Sequence, residues 1–203
     1  MTGAKVGVLG GTFDPPHAGH LIAAGDAFER LQLDRLLFVP ALLPPHKQGA
    51  VAAPAPLRLE LVRAAVAGDT RFEVDDLETR RPGPSYTVDT LAQLRGRWPR
   101  AELFLLVGAD TLAGLPQWRE PERVLELATL ALLARQGEGA PAGFPFPFER
   151  VPVTRVDVSS SELRRRVAAG LSIRYRVPEQ VLTIIEREGV YGKGKPKIRP
   201  VES

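Results

Sequence analysis

The chain has 203 residues, 44% of them hydrophobic and 25% charged, with a formal net charge of +3. It is long enough for one sizeable core, ordinary in composition, and too mildly basic to argue for a nucleic-acid partner. The absence of cysteine excludes disulfides and thiolate chemistry and favours a cytoplasmic site, and no apolar run approaches the roughly 18 residues of a membrane span.

Met1 leads almost directly into the run Lys5 to Leu9, so no secretory signal is expected. Short, β-branched and closed by Gly10-Gly11, that run reads as a buried parallel strand. A polar turn carries Thr12, Asp14, Pro15-Pro16, His17 and His20. Leu21, Ile22, Ala24, Ala27, Phe28 and Leu31 then recur at helical spacing, so a helix starts near His17 to His20. Strand, glycine turn and helix N-terminus form an anion-binding corner, where free N–H groups and the helix dipole would face a phosphate.

Arg35 to Pro40 reads as a second strand, and the proline- and alanine-rich segment 41–56 as an ordered loop over a site. A helix is predicted over Leu57 to Val66 and a short strand over Phe72 to Val74, followed by Asp75-Asp76. Ser85 should cap a helix from Tyr86 to about Trp98, with Trp98 in the core. Glu102 to Val107 is the next buried strand, ending in Gly108-Ala109-Asp110. Pro116 to Trp118 reads as a loop, Pro121 to Leu127 as a helix and Thr129 to Leu133 as a strand. A strand over Val151 to Val158 and a helix over Glu162 to Ala169 capped by Ser159 to Ser161 follow, and the last helix spans Pro178 to Arg187. The basic tail 193–203 shows no periodicity and is expected to be mobile.

Alternating strands and helices predict an α/β fold, a Rossmann-like parallel sheet with helices on both faces, in one domain over residues 1–192. Ligands in such sheets bind beyond the carboxyl ends of the strands. That is where the polar candidates fall: Thr12, His17 and His20, then His46 and Lys47, then Asp110, then Ser159 to Ser161. His17 and His20 can serve as a phosphate clamp, as metal ligands lacking an evident third partner, or merely as helix caps. Two patterns mislead. Gly189 to Pro196 imitates a phosphate loop but places proline where a hydroxyl is needed, and no GxGxxG follows the first strand.

With those residues in view, GGTFDPPHAGH at 10–20 resembles the HxGH signature of the nucleotidyltransferase superfamily. VSSSELR at 158–164 resembles its second signature, (I/V)SSTxxR. PPHK at 44–47, PSYTVDTL at 84–91 and LVGADTLAGLPQW at 106–118 narrow the resemblance to bacterial nicotinate-mononucleotide adenylyltransferases. It spans Val6 to Tyr191, departing in Ser161, where threonine is usual, and in the basic tail. A class I aminoacyl-tRNA synthetase is disfavoured by the short chain and the lack of a KMSKS-like segment.

The resemblance implies transfer of AMP from ATP to nicotinate mononucleotide, giving deamido-NAD and pyrophosphate. The nucleophile would be a phosphate oxygen already ionised at neutral pH, so no general base is required. Positioning and charge stabilisation would then carry the rate. It further implies that Gly10, Gly11, Thr12, Phe13, His17, His20, Ser159, Ser160, Ser161 and Arg164 bind ATP. His17, His20 and Arg164 would be catalytic, His20 foremost. A Mg²⁺ would be carried by ATP oxygens and water rather than by the protein. Lys47, Tyr86, Thr87, Gly108, Asp110 and Trp118 would bind the acceptor. Among these, Lys47 is expected near its phosphate, Asp110 at ribose hydroxyls, Trp118 against the pyridine ring, and Tyr86 and Thr87 at the carboxylate. The residues alone leave plainer roles open for each: a solvated loop lysine, a helix cap, a core aromatic. Competing functions are an adenylyltransferase for the amide nucleotide or for phosphopantetheine, and a non-catalytic nucleotide-binding regulator. Neither a membrane nor a nucleic-acid partner is expected, and an oligomer stays open.

Overall fold

The computed structural model describes residues 3–44, 51–135 and 139–192. Lys47, His46 and the basic tail lie outside the described residues, so the expectations attached to them find no test there.

Six parallel strands form one sheet: β1 (Lys5–Gly11), β2 (Arg35–Pro40), β3 (Phe72–Val74), β4 (Glu102–Gly108), β5 (Thr129–Ala134) and β6 (Glu149–Pro152). Their order is β3-β2-β1-β4-β5-β6. The chain moves outward from β1 to β3, then returns to β1's other side as β4. This reversal opens a crevice at the carboxyl ends of β1 and β4, where ligands of such sheets bind. In register, Val8 stands between Leu37 of β2 and Leu105 of β4.

Side-chain alternation builds the two faces. Leu103, Leu105 and Val107 join Val6, Val8, Leu37 and Val39 against α4 (Thr87–Arg97), α5 (Ala109–Gly114) and α6 (Pro121–Leu127). Phe104 and Leu106 join Leu9, Leu36 and Phe38 against α1 (Ala18–Arg30) and α2 (Ala55–Val66). Both faces are covered, which is why these strands read as continuous apolar runs. Outside them, α2 packs through Leu61 and Ala65 on α7 (Ser160–Ala168) and α8 (Glu179–Glu188), with Leu163, Val181 and Ile185 in the seam. This seam brings the chain's last quarter back to its first.

Several elements differ from the sequence reading. β1 runs through Gly10-Gly11 rather than breaking there, because Gly10 and Gly11 still pair with Val39 and Pro40. β6 stops at Pro152. The apolar residues beyond it pack on the cores, while Thr154 N–H donates to Asp26 rather than to a strand. A short helix α3 (Leu77–Arg80) follows β3 unannounced. Leu115–Gln117 is a 3₁₀ turn rather than open loop. Trp98 is half-buried at the core margin, with the Arg35 and Arg97 guanidinium groups over its ring.

Candidate functional site

The turn from β1 to α1 is held tightly. Phe13 has a left-handed backbone, φ 49°, which costs a non-glycine residue free energy of order 1 kcal/mol. Its buried ring offsets that by packing edge-on to His20 at 5.1 Å and against Phe38 at 5.7 Å. Gly11 makes room for the ring, since a Cβ there would sit 2.9 Å from it. The imidazoles of His17 and His20 lie 3.7 Å apart, 31° from parallel.

The His17 N–H donates to Nδ1 of His20 at 3.2 Å. A nitrogen that accepts carries no proton, so neutral His20 holds its proton on Nε2, the donor a phosphate oxygen needs. His17 is buried, and among the described residues its Nδ1 has no hydrogen-bond partner. Burial first, and the nearby positive charge of Arg135 second, lower its pKa to about 4. His17 is therefore a neutral group at physiological pH. Gly19 permits this stacking, because a Cβ there would meet the His17 ring at 3.1 Å. The N-terminus of α1 is less open than expected: the Ala18 N–H is taken by Arg176 O at 2.9 Å.

The second signature docks onto this turn. Ser159 is the N-cap of α7 and accepts from the Glu162 N–H at 3.2 Å. Ser160 Oγ donates to Pro15 O at 2.8 Å and Arg164 Nη1 donates to Asp14 O at 2.8 Å. Arg164 Nη2 reaches Ser161 Oγ at 3.3 Å, and Ser159 and Ser161 stay exposed. Segments 145 residues apart thus share one polar seam. Ser160 and Arg164 each spend part of their hydrogen-bonding capacity on joining the loops, a use the spacing alone did not reveal.

Below the seam, the buried Asp14 carboxylate accepts from Ala52 N at 2.7 Å, Ala53 N at 3.1 Å and the Tyr191 hydroxyl at 2.7 Å. Arg58, also buried, donates to Thr12 O, Leu42 O and Ala53 O. Burial lowers the Arg58 pKa and raises that of the Tyr191 phenol, the latter also through its bond to Asp14. Neither Arg58 nor Tyr191 was singled out in the sequence. Arg58 had a signal, since it falls three residues before Leu61 on the apolar face of its helix. Arg135 had another, standing immediately after the fifth strand.

The remaining candidates occupy the shelf across β4. Tyr86 is the N-cap of α4 and Thr87 its first residue; Ser85, expected as the cap, instead accepts the Leu42 N–H at 3.0 Å. Beneath them, Glu78 is buried, receives the Thr90 hydroxyl at 2.5 Å, and has its pKa raised by that burial. The Arg119 guanidinium covers the Tyr86 ring at 4.9 Å. Gly108 ends β4 and is exposed, as is Asp110 in α5. Trp118 is half-buried, packing against the core from the rim. Among the described residues no hydrogen bond joins Tyr86, Asp110 and Trp118 to one another. They share a location without sharing a network.

Comparison with known proteins completes the picture. Residues 8–166 match the family model described as cytidylyltransferase-like. A Thermus thermophilus protein named "Probable nicotinate-nucleotide adenylyltransferase" is 49% identical over 187 residues, 92% of this chain and 99% of that protein. A Geobacillus thermodenitrificans protein of the same name is 43% identical over 188 residues, 93% of this chain and 86% of its own. Among solved structures, Plasmodium falciparum nicotinic acid mononucleotide adenylyltransferase complexed with NaAD superposes with a TM-score of 0.78. It is 17% identical, over 93% of this chain and 97% of that one, a likeness of fold. The same enzyme complexed with APC gives 0.75 at 16% identity, with the same coverage.

Proposed function

Since the chain belongs to the cytidylyltransferase-like family, among its nicotinate-nucleotide adenylyltransferases, we propose that it transfers AMP from ATP to nicotinate mononucleotide. The products are deamido-NAD and pyrophosphate, which makes it an enzyme of NAD biosynthesis. The observation that carries this reading is the seam in which Ser160 and Arg164 bond to the turn bearing His17 and His20. Two signatures from opposite ends of the sequence make one polar corner at the sheet's reversal.

A phosphate oxygen of the acceptor attacks the α-phosphorus of ATP; the bond from that phosphorus to the bridging oxygen breaks, and pyrophosphate leaves with the electron pair. Because the nucleophile is already an anion, no side chain has to remove a proton. The protein's work is to hold both phosphates in line and to donate to the oxygens that gain charge. We assign His20 Nε2–H, neutral His17 and the Arg164 guanidinium to those oxygens, with Gly10 to Phe13 and Ser159 to Ser161 around the triphosphate. Arg135, whose charge is felt at His17, adds positive potential at the same end of the sheet.

Among the described residues no group of three or more His, Asp or Glu side chains is arranged to hold a metal. A Mg²⁺ would arrive on ATP oxygens and water, where it would neutralise triphosphate charge. Tyr86 and Thr87 at the start of α4 would receive the nicotinate carboxylate, Asp110 the ribose, Trp118 the ring and Lys47 the acceptor phosphate. We place the enzyme in the cytoplasm; among the described residues no helix is long and apolar enough to cross a membrane. The test is pyrophosphate release from ATP with nicotinate mononucleotide, its amide and phosphopantetheine in parallel. The acid nucleotide should give the highest kcat/KM, and a higher value for either competitor would reassign the acceptor.

A further inference from the structure

Arg58 is only 1% exposed, on a helix face whose other members are Leu61, Val62, Ala65 and Val66. Burying a guanidinium costs several kcal/mol unless it is paired and fully hydrogen-bonded. Here all three nitrogens are engaged, and each takes a backbone carbonyl from a different segment. Nη1 takes Thr12 O at 2.8 Å, Nη2 takes Leu42 O at 3.1 Å, and Nε takes Ala53 O at 3.1 Å. An apolar side chain could fill the helix seam; only a planar fork of donors can link these three carbonyls.

Asp14 performs the complementary task with N–H groups. Its carboxylate holds Ala52 and Ala53, while its backbone oxygen receives Arg164 and its Oδ1 receives Tyr191. Leu42 and Ala52–Ala53, on either side of residues 45–50, are therefore fastened to the turn that carries His17 and His20. Ser85 reinforces the first of these attachments through Leu42 N and Leu43 O.

We infer that Arg58, seconded by Asp14 and Tyr191, is a positioning residue that sets Leu42 and Leu43, and through them Ser85 beside Tyr86 and Thr87, against the ATP corner and so fixes the in-line distance of the reacting phosphates. The inference rests on the adenylyl-transfer reading and deepens it. With no general base in the reaction, rate depends on placement, and a shift of about 1 Å can cost about 10²-fold. The loss belongs in kcat, because ATP still meets its own contacts.

Arg58→Lys keeps the charge and removes the fork; Tyr191→Phe keeps the ring and removes one bond to Asp14. Both are measured by pyrophosphate release and thermal unfolding, with rates normalised to folded enzyme well below Tm. Arg58→Lys should lower kcat about 10²-fold with the ATP KM within about threefold of wild type. Tyr191→Phe should lower kcat about five- to tenfold, the smaller share expected of a single hydrogen bond. A purely structural role would lower Tm and leave normalised kcat within about threefold for both, which overturns the inference, as does a loss confined to KM. If Arg58→Lys does not fold, Tyr191→Phe decides alone, with kcat within about twofold of wild type as the overturning result. A wrong acceptor shows as absent wild-type turnover, whereas a wrong positioning role shows as an unchanged variant-to-wild-type ratio on whichever acceptor turns over.

Discussion

The corner at the end of β1 and the shelf formed by α4, α5 and Trp118 stand at the same edge of one sheet but are held together differently. In the corner, Phe13, His17, His20, Asp14, Ser160 and Arg164 are locked by ring contacts and hydrogen bonds. On the shelf, Tyr86, Asp110 and Trp118 come from three elements, and Asp110 is exposed. The corner is held by its own contacts, whereas among the described residues no hydrogen bond joins Tyr86, Asp110 and Trp118. Preorganised donors cost nothing to reorient during reaction, so they belong where charge develops. Adaptable contacts belong where one acceptor is told from another.

The largest effect should follow from breaking the corner. His20→Ala removes the Nε2–H donor and the ring that packs on Phe13. Loss of one such donor typically costs about 10²–10³ in kcat. Expected is a kcat drop of that size with both substrate KM values little changed and the protein folded. A folded variant turning over at the wild-type rate would remove His20 from the mechanism and make the corner a structural turn.

The second test is of stability and uses pH. His17 titrates near 4 in the folded protein against about 6.5 when unfolded. Between those values the unfolded chain takes up a proton that the folded chain refuses, so stability is complete above about pH 6.5 and is lost as pH falls toward 4. The full loss is about 3 kcal/mol. Glu78, whose pKa is raised, acts in the opposite sense, losing stability as pH rises. Comparison of wild type with His17→Asn cancels Glu78: the Tm of the wild type, relative to the variant, should fall between pH 7 and 5. A constant difference across that range would mean that His17 is not held neutral.

What the sequence disclosed divides along the same line as the two regions. β2 and α6 occupy the ranges predicted for them, because a strand buried on both faces and a proline-opened helix leave strong local signals. The corner was legible too, since each of its two signatures is contiguous, the glycines and histidines within residues 10–20 and the serines and Arg164 within 158–164. The fork of Arg58 and the hydroxyl of Tyr191 were not, because a buried charge is identified by what surrounds it, and its partners lie 46 and 177 residues away. Ser85 misled for a related reason. A hydroxyl before a helix usually caps it, yet here the chain returning from β2 claims it. Ser160 was placed at the correct helix end, but its bond to Pro15 is a tertiary fact.

The smallest expected effect is on the shelf and decides whether Trp118 belongs to it. One side of Trp118 packs against the core, so truncation to alanine would mix lost stability with lost recognition. Trp118→Leu keeps an apolar body against the core while removing the π face. An aromatic stack is worth about 0.5–1.5 kcal/mol beyond area burial, so the acceptor KM should rise about three- to tenfold. The ATP KM and kcat should stay near wild type, because nothing in the corner touches the indole. If only Tm changes, Trp118 is a core aromatic, and the pyridine ring must be held by Tyr86, whose opposite face is already covered by Arg119. A rise confined to the acceptor KM would set the shelf apart from the corner, where loss of the His20 imidazole is expected to appear in kcat.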